Sequence, residues 1–242
     1  MRRDFIFIQN IAIDKQRRNE YNIIEVRGSY ALRGDIEMNF CEYLKNKYGE
    51  NEPIYIEEIR FEDYSRPWIF KELKKLVDDG KIKRFDTGIY YFPTKTFFGD
   101  STLSPQKIVD RRFLSDGSNI YGYIAGRSLM NMTGLSTQVP NLIEIVTNNE
   151  TTRVRDIQVG FQRVRARRSR TTVTKENAKA LQFLDLMNVI TPSGMDETER
   201  YMLSKYIKRC GVVKDEVLQY TGIFPAKAMK NMIESGAVYE LA

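Results

Sequence analysis

Apolar residues recur at intervals of three and four from Ile36 to Tyr48, through Phe40, Tyr43 and Leu44, which is the spacing of one helical face. The polar run "GENEP" (49–53) stops that helix. "YIEEIRF" (55–61) predicts a short helix, and "EDYS" (62–65) a polar turn. The next helix is marked at both ends, because Pro67 suits a first turn and Gly80 a left-handed stop, and Pro67 also predicts an extended Arg66. Between them Ile69, Leu73, Leu76 and Val77 form an apolar stripe that leaves Lys71, Lys74 and Lys75 largely outside it. In "KIKRFDTGIYYFP" (81–93), β-prone runs at 82–85 and 89–92 flank Asp86-Thr87-Gly88, the composition of a tight hairpin turn. Helix, short helix, turn, basic helix and hairpin is the order of a winged helix-turn-helix.

The flanks read differently. Residues 1–34 show apolar alternation at Phe5, Phe7, Ile24 and Val26 and are read as an N-terminal extension. After Pro93 the texture changes, so a boundary is placed in "PTKTFFGDSTLS" (93–104), giving a first domain over 35–95 and a second over 96–242. In the second domain "PQKIVDRRFL" (105–114) predicts a short helix with Ser104 as cap. "YGYIAGRSLMNMTGL" (121–135) predicts a helix rich in small residues. "NLIEIVTNN" (141–149) predicts a buried strand, and "IQVGFQRVRARR" (157–168) a second. Helices are expected over Lys175–Met187, over Asp196–Cys210 and in "FPAKAMKNMIESG" (224–236). The fold class is therefore α+β: a winged helix-turn-helix, then a mixed α/β domain with C-terminal helices.

Composition narrows the chemistry. The chain has 242 residues and a formal charge of +6, an excess compatible with a polyanionic partner but also common in ordinary enzymes. It contains no His, which removes Ser-His-Asp and Cys-His catalysis and imidazole zinc sites in one step. Cys41 and Cys210 lie far apart, so neither a zinc knuckle nor a disulfide framework is expected. Gln9 and Asn10 interrupt the one N-terminal apolar run, and no run reaches membrane-helix length, so a cytoplasmic protein is expected. No phosphate-binding glycine loop occurs.

The winged-helix reading assigns phosphate and base contacts to Arg66, Lys71, Lys74 and Lys75 on the basic helix and to Lys83, Arg84 and Thr87 on the wing. Trp68, the sole tryptophan, is expected to pin the helix start to the domain core. A second basic surface centres on "RVRARRSR" (163–170). If the strand from Ile157 runs on unbroken, Ile157, Val159 and Phe161 share a face with Arg163, Arg165 and Arg167. Arg153, Arg155, Arg163, Arg165, Arg167, Arg168, Arg170 and Lys175 stand against the single acid Asp156, a density whose self-repulsion calls for a partner. Glu144 and Asp156 could serve as nuclease metal ligands, but no nearby Lys completes that pattern and Glu144 reads more simply as a strand residue paired with an Arg, so no catalytic residue, metal or cofactor is assigned.

"GIYYFP" (88–93), "YGYIAGRSLMNMTGLSTQVP" (121–140) and "IEIVTNN" (143–149) together resemble the AbiEi family of antitoxins. The matching positions are Tyr123, Gly126, Ser128, Gly134, Leu135, Gln138, Pro140, Glu144 and Thr147, within roughly residues 36–190. Leu129 departs from the pattern, which has a small residue there, and residues 1–34 have no counterpart. The resemblance implies a type IV toxin-antitoxin system. Its antitoxin binds inverted repeats in its own promoter through the winged helix and represses the operon; a helix-turn-helix on inverted repeats calls for two copies on the DNA, with the oligomeric state left open. The C-terminal domain counteracts a nucleotidyltransferase toxin. A winged-helix adaptor or regulator without a toxin partner is the alternative, and the arginine strand is left as a surface for DNA or for the toxin.

Overall fold

The computed structural model describes residues 39–61 and 64–242. The 1–34 extension, the Ile36 start of the first helix and Glu62-Asp63 of the polar turn lie outside them. The architecture is α+β, and the chain forms two compact units that part between Lys107 and Ile108.

In the first unit, α1 (Phe40–Tyr48) begins at Asn39, whose side chain accepts the Cys41 N–H, and it buries Phe40 and Leu44. The segment expected as a short helix is instead β1 (Ile54–Tyr55) followed by a single 3-10 turn (Ile56–Glu58). Ile54, Ile56 and Ile59 are all buried, and Ile54 and Tyr55 pair with Tyr90 and Ile89, so β-branched side chains and a waiting ladder override helical spacing. Next comes α2 (Arg66–Asp78), with Ile69, Leu73 and Leu76 buried. Arg66 is the first helical residue rather than extended. Its guanidinium donates to Ile56 O at 2.6 Å and Glu57 O at 3.1 Å, contacts that offset the steric preference imposed by Pro67. The hairpin of β2 (Lys83–Asp86) and β3 (Ile89–Tyr91) follows, and the three strands form an antiparallel sheet in the order β1-β3-β2.

Residues 93–104, expected as a boundary, hold a further small hairpin, β4 (Lys95–Thr96) and β5 (Gly99–Asp100). Asp100 accepts from Lys83 of β2 at 3.1 Å and from Lys95 at 2.6 Å, which ties this hairpin to the first unit. The chain leaves that unit in α3 (Pro105–Val109), which continues as a π turn (Asp110–Leu114).

The second unit is built on a four-stranded sheet, β6 (Gly122–Ile124), β7 (Ile143–Thr147), β8 (Val154–Val159) and β9 (Gln162–Arg168), in the order β6-β7-β9-β8. Only β7 and β9 pair in parallel. The run expected as one helix over 121–135 splits into β6 and α4 (Gly126–Thr133). Four helices complete the unit: α5 (Ala178–Val189), α6 (Glu197–Cys210), α7 (Lys214–Tyr220) and α8 (Ala226–Glu234). Of these α5 is buried on nearly all sides, from Ala180 to Met187 without a break, so it is the axis around which the others pack. Asn231 of α8 ties to it through Met187 O and Ile190 O, each at 2.8 Å.

Candidate nucleic-acid interface

Leu73, Leu76 and Ile69 fix one face of α2 in the core, so the opposite face is turned outward by helical periodicity. That face carries Lys71, Lys74 and Lys75, exposed and without an ion pair among the described residues. Phe70 stands among them at 53 % exposure, a residue that charge-based reasoning passes over. Trp68 stacks on Tyr64 with ring centroids 4.0 Å apart and meets Phe40 edge-on at 5.3 Å, pinning the start of α2 to α1.

The other residues expected to contact DNA, on α2 and the β2–β3 hairpin, are engaged within the fold. Arg66 is held by carbonyls of the 3-10 turn. Lys83 pairs with Asp100, and Arg84 donates to Asp86 O and Thr87 Oγ1, each at 3.2 Å. The Thr87 N–H donates to Asp86 Oδ1 at 2.6 Å, which closes the β2–β3 turn. Residues 39–107 hold 12 basic and 12 acidic side chains, whereas 108–242 hold 19 and 14. The net positive charge therefore sits mainly in the second unit, and the first unit's lysines are a local patch on a balanced domain.

The arginine strand is one arm of a hairpin. Val159 pairs with Gln162 across a two-residue turn, Gly160-Phe161, in which Gly160 takes a φ of 57°. Such a turn reverses the parity that an unbroken strand would keep. Val164 and Ala166 are therefore the buried residues of β9, and Arg163, Arg165 and Arg167 share the opposite face, out of phase with Ile157 and Val159.

Most of these arginines are not left to repel one another. Arg165 makes a bidentate pair with Asp156 directly across the strand, at 2.8 and 2.9 Å. Arg167 reaches Asp185 of α5 at 3.3 Å, and Arg155 reaches Glu150 at 3.0 Å. The Arg170 guanidinium lies over the Phe224 ring at 5.2 Å. Arg153, Arg163 and Arg168 remain exposed and without an ion pair among the described residues. Self-repulsion along the strand is thus smaller than its sequence suggests, because the fold brings in Glu150 and Asp185, which the 153–175 window does not contain.

Two buried carboxylates organise this unit. Asp185, 2 % exposed, accepts from Tyr123 Oη at 2.8 Å as well as from Arg167. Burial, and then the Asp185 charge, push the Tyr123 phenol well above its ordinary value, which keeps it a donor. Glu150, also 2 % exposed, accepts from the N–H groups of Thr151 and Thr152 and from Thr152 Oγ1, besides Arg155. Burial raises the Glu150 carboxyl, but the Thr152 bonds, the Arg155 charge and the Thr151 N–H outweigh it, so its pKa lies below the ordinary 4.5. A depressed folded pKa contributes stability above the unfolded value and loses it as pH falls through the folded one. Glu150→Gln is accordingly expected to cost about 1–3 kcal/mol near neutral pH. The gap to wild type should close as urea titrations are carried into acid below the ordinary glutamate range.

Glu144 does structural work of the same kind. Its carboxylate accepts the Arg127 N–H at 3.0 Å, at the start of α4, and lies against the bare Cα of Gly126. Ser128 Oγ accepts the Glu144 N–H at 2.9 Å and donates to Leu142 O at 3.1 Å, while Thr147 Oγ1 donates to Tyr121 O at 3.2 Å. Gly126, Ser128, Glu144 and Thr147 therefore form one clamp that holds α4 and the entry to β6 against β7, while Tyr123 reaches Asp185 of α5 instead. Gly134 ends α4 in a left-handed cap, Leu135 is buried, and Gln138 is exposed. Asp156, the other acid of the nuclease pattern, is taken by Arg165. Among the described residues no group of three or more His, Cys, Asp or Glu is placed to hold a metal, and no helix is long and apolar enough to cross a membrane. Comparison of the chain with protein-family models and with curated proteins returns no match.

Proposed function

We propose that residues 39–107 form a winged helix-turn-helix that binds double-stranded DNA, and that the chain is a cytoplasmic, non-enzymatic repressor of the AbiEi antitoxin type. The observation that carries the DNA reading is the order α1, β1, 3-10 turn, α2, β2, β3 with sheet order β1-β3-β2, which leaves α2 presenting Lys71, Lys74 and Lys75 outward. In this reading α2 lies in the major groove, its lysines neutralise phosphates, and the Arg84-Thr87 wing meets the adjacent backbone. The first helix of the motif is reduced to the single 3-10 turn that Arg66 braces.

The antitoxin part rests on the resemblance; four of the nine residues that carry it, Gly126, Ser128, Glu144 and Thr147, hold one architectural device together. The toxin would be a nucleotidyltransferase, and Arg153, Arg163 and Arg168 are the arginines free to meet it or DNA. A second reading, a winged-helix adaptor that binds protein, is favoured by one observation, the even balance of charge over residues 39–107. Gel retardation of the DNA upstream of the protein's own gene separates the two. A retarded complex supports the repressor, and its absence at low salt supports the adaptor.

A further inference from the structure

The β4–β5 hairpin ends in Phe97 and Phe98, each 96 % exposed, with ring centroids 5.3 Å apart and planes at 88°. Two fully exposed phenylalanines on a tip are unusual, since each forgoes roughly 1.5–3 kcal/mol of burial. The turn that holds them is firmly built. Thr96 Oγ1 donates to Gly99 O at 2.7 Å, and the Ser101 N–H to Thr94 O at 2.9 Å. Thr94 N–H donates to Ser101 Oγ at 2.9 Å, and Asn51 Nδ2 to Thr94 Oγ1 at 2.7 Å. The rings are thus displayed by a preorganised support.

We infer that the Phe97-Phe98 tip is a wedge that enters a base step of the DNA held by α2 and the wing. This inference rests on the DNA-binding reading above. Two aromatic rings offer roughly 300–500 Å² between them, short of the about 800 Å² that a stable protein interface takes from each partner. The tip fits a slot. Phenylalanine is among the side chains that open base steps from the minor groove, partly unstacking them. The surroundings favour DNA as the occupant: Lys95 stands beside the tip, and Asp100 at the root links it to Lys83, on the same strand as Arg84 of the wing. Two cations share that one carboxylate, so the root keeps a positive charge for the phosphates that flank an opened step.

The test uses the full chain and its own upstream DNA, with permanganate reactivity of thymines reporting unstacking. Wild type should create a discrete hyperreactive step within the retarded complex. Phe97→Ala/Phe98→Ala, at exposed positions that leave the core intact, should still retard the fragment with the same salt dependence. Its affinity should fall about tenfold, the scale of one aromatic–base stack, and the hyperreactive step should vanish. A variant that binds and unstacks like wild type overturns the wedge alone, whereas failure of wild type to bind any upstream DNA overturns the repressor reading with it. Loss, in the variant only, of binding to anionic phospholipid vesicles or of a dimer in sedimentation, with DNA behaviour unchanged, would assign the tip to lipid or to a second copy.

Discussion

Gly126→Ala is expected to destabilise the second unit by about 2–5 kcal/mol, combining left-handed backbone strain with a forced contact. Gly126 has a φ of 58°, and a Cβ built there would lie 2.5 Å from both Cδ and Oε2 of Glu144. The carboxylate cannot withdraw freely, because Oε1 accepts the Arg127 N–H while the Glu144 main chain is held by Ser128 and Ala125. Denaturant unfolding of both single variants and the double variant separates the two contributions. In a Glu144→Ala background the clash disappears, and Gly126→Ala should cost only the backbone strain, about 1–2 kcal/mol. Equal costs in both backgrounds would mean that the carboxylate has no part in the choice of glycine.

Asp185→Ala is expected to cost about 3–5 kcal/mol, because it strands both the Tyr123 hydroxyl and the Arg167 guanidinium against the sheet. The three groups link β6, β9 and α5, so the loss falls on the packing of the central helix against the sheet. Replacing Arg167 by Met and Tyr123 by Phe in the same variant removes the stranded groups and should recover part of the stability. Thermal or urea unfolding of the two variants checks this, and a triple variant no more stable than Asp185→Ala would contradict it.

Elements bounded by strong local signals were legible in the sequence. Pro67 and the Ile69-Leu73-Leu76 stripe mark α2, the Asp86-Thr87-Gly88 turn marks the β2–β3 hairpin, and Asp196 opens α6 with a reciprocal capping box to Glu199. What was hidden depended on pairing. "GYI" is too short to show a strand period, and it becomes β6 only because β7 lies beside it. α7, a seven-residue helix, gave no separate signal. The Gly160-Phe161 turn reversed the phase of the arginine strand because alternation cannot be carried across a hairpin. A charge window of the chain likewise cannot see Asp185, eighteen residues away from the arginine it neutralises.

The candidate site was legible to the same degree. Lys71, Lys74 and Lys75 were readable as the face opposite an apolar stripe, which periodicity alone decides. The engagement of Arg66 with the 3-10 turn, and of Lys83 with Asp100, is tertiary and left no mark in spacing. Phe70, Phe97 and Phe98 escape a reading of spacing alone, because an apolar residue is assumed to be core until burial says otherwise.

The most direct measurement is the affinity for the protein's own upstream DNA across salt, from about 50 to 200 mM, for wild type and for Lys71→Ala/Lys74→Ala/Lys75→Ala/Arg84→Ala. Wild-type affinity is expected to fall steeply, with log affinity linear in log salt. The quadruple variant should bind far more weakly, with a slope smaller by about 0.9 for each phosphate that it no longer neutralises. Binding by the quadruple variant that matches wild type in affinity and slope would contradict DNA recognition by α2 and the wing, as would a wild-type affinity indifferent to salt.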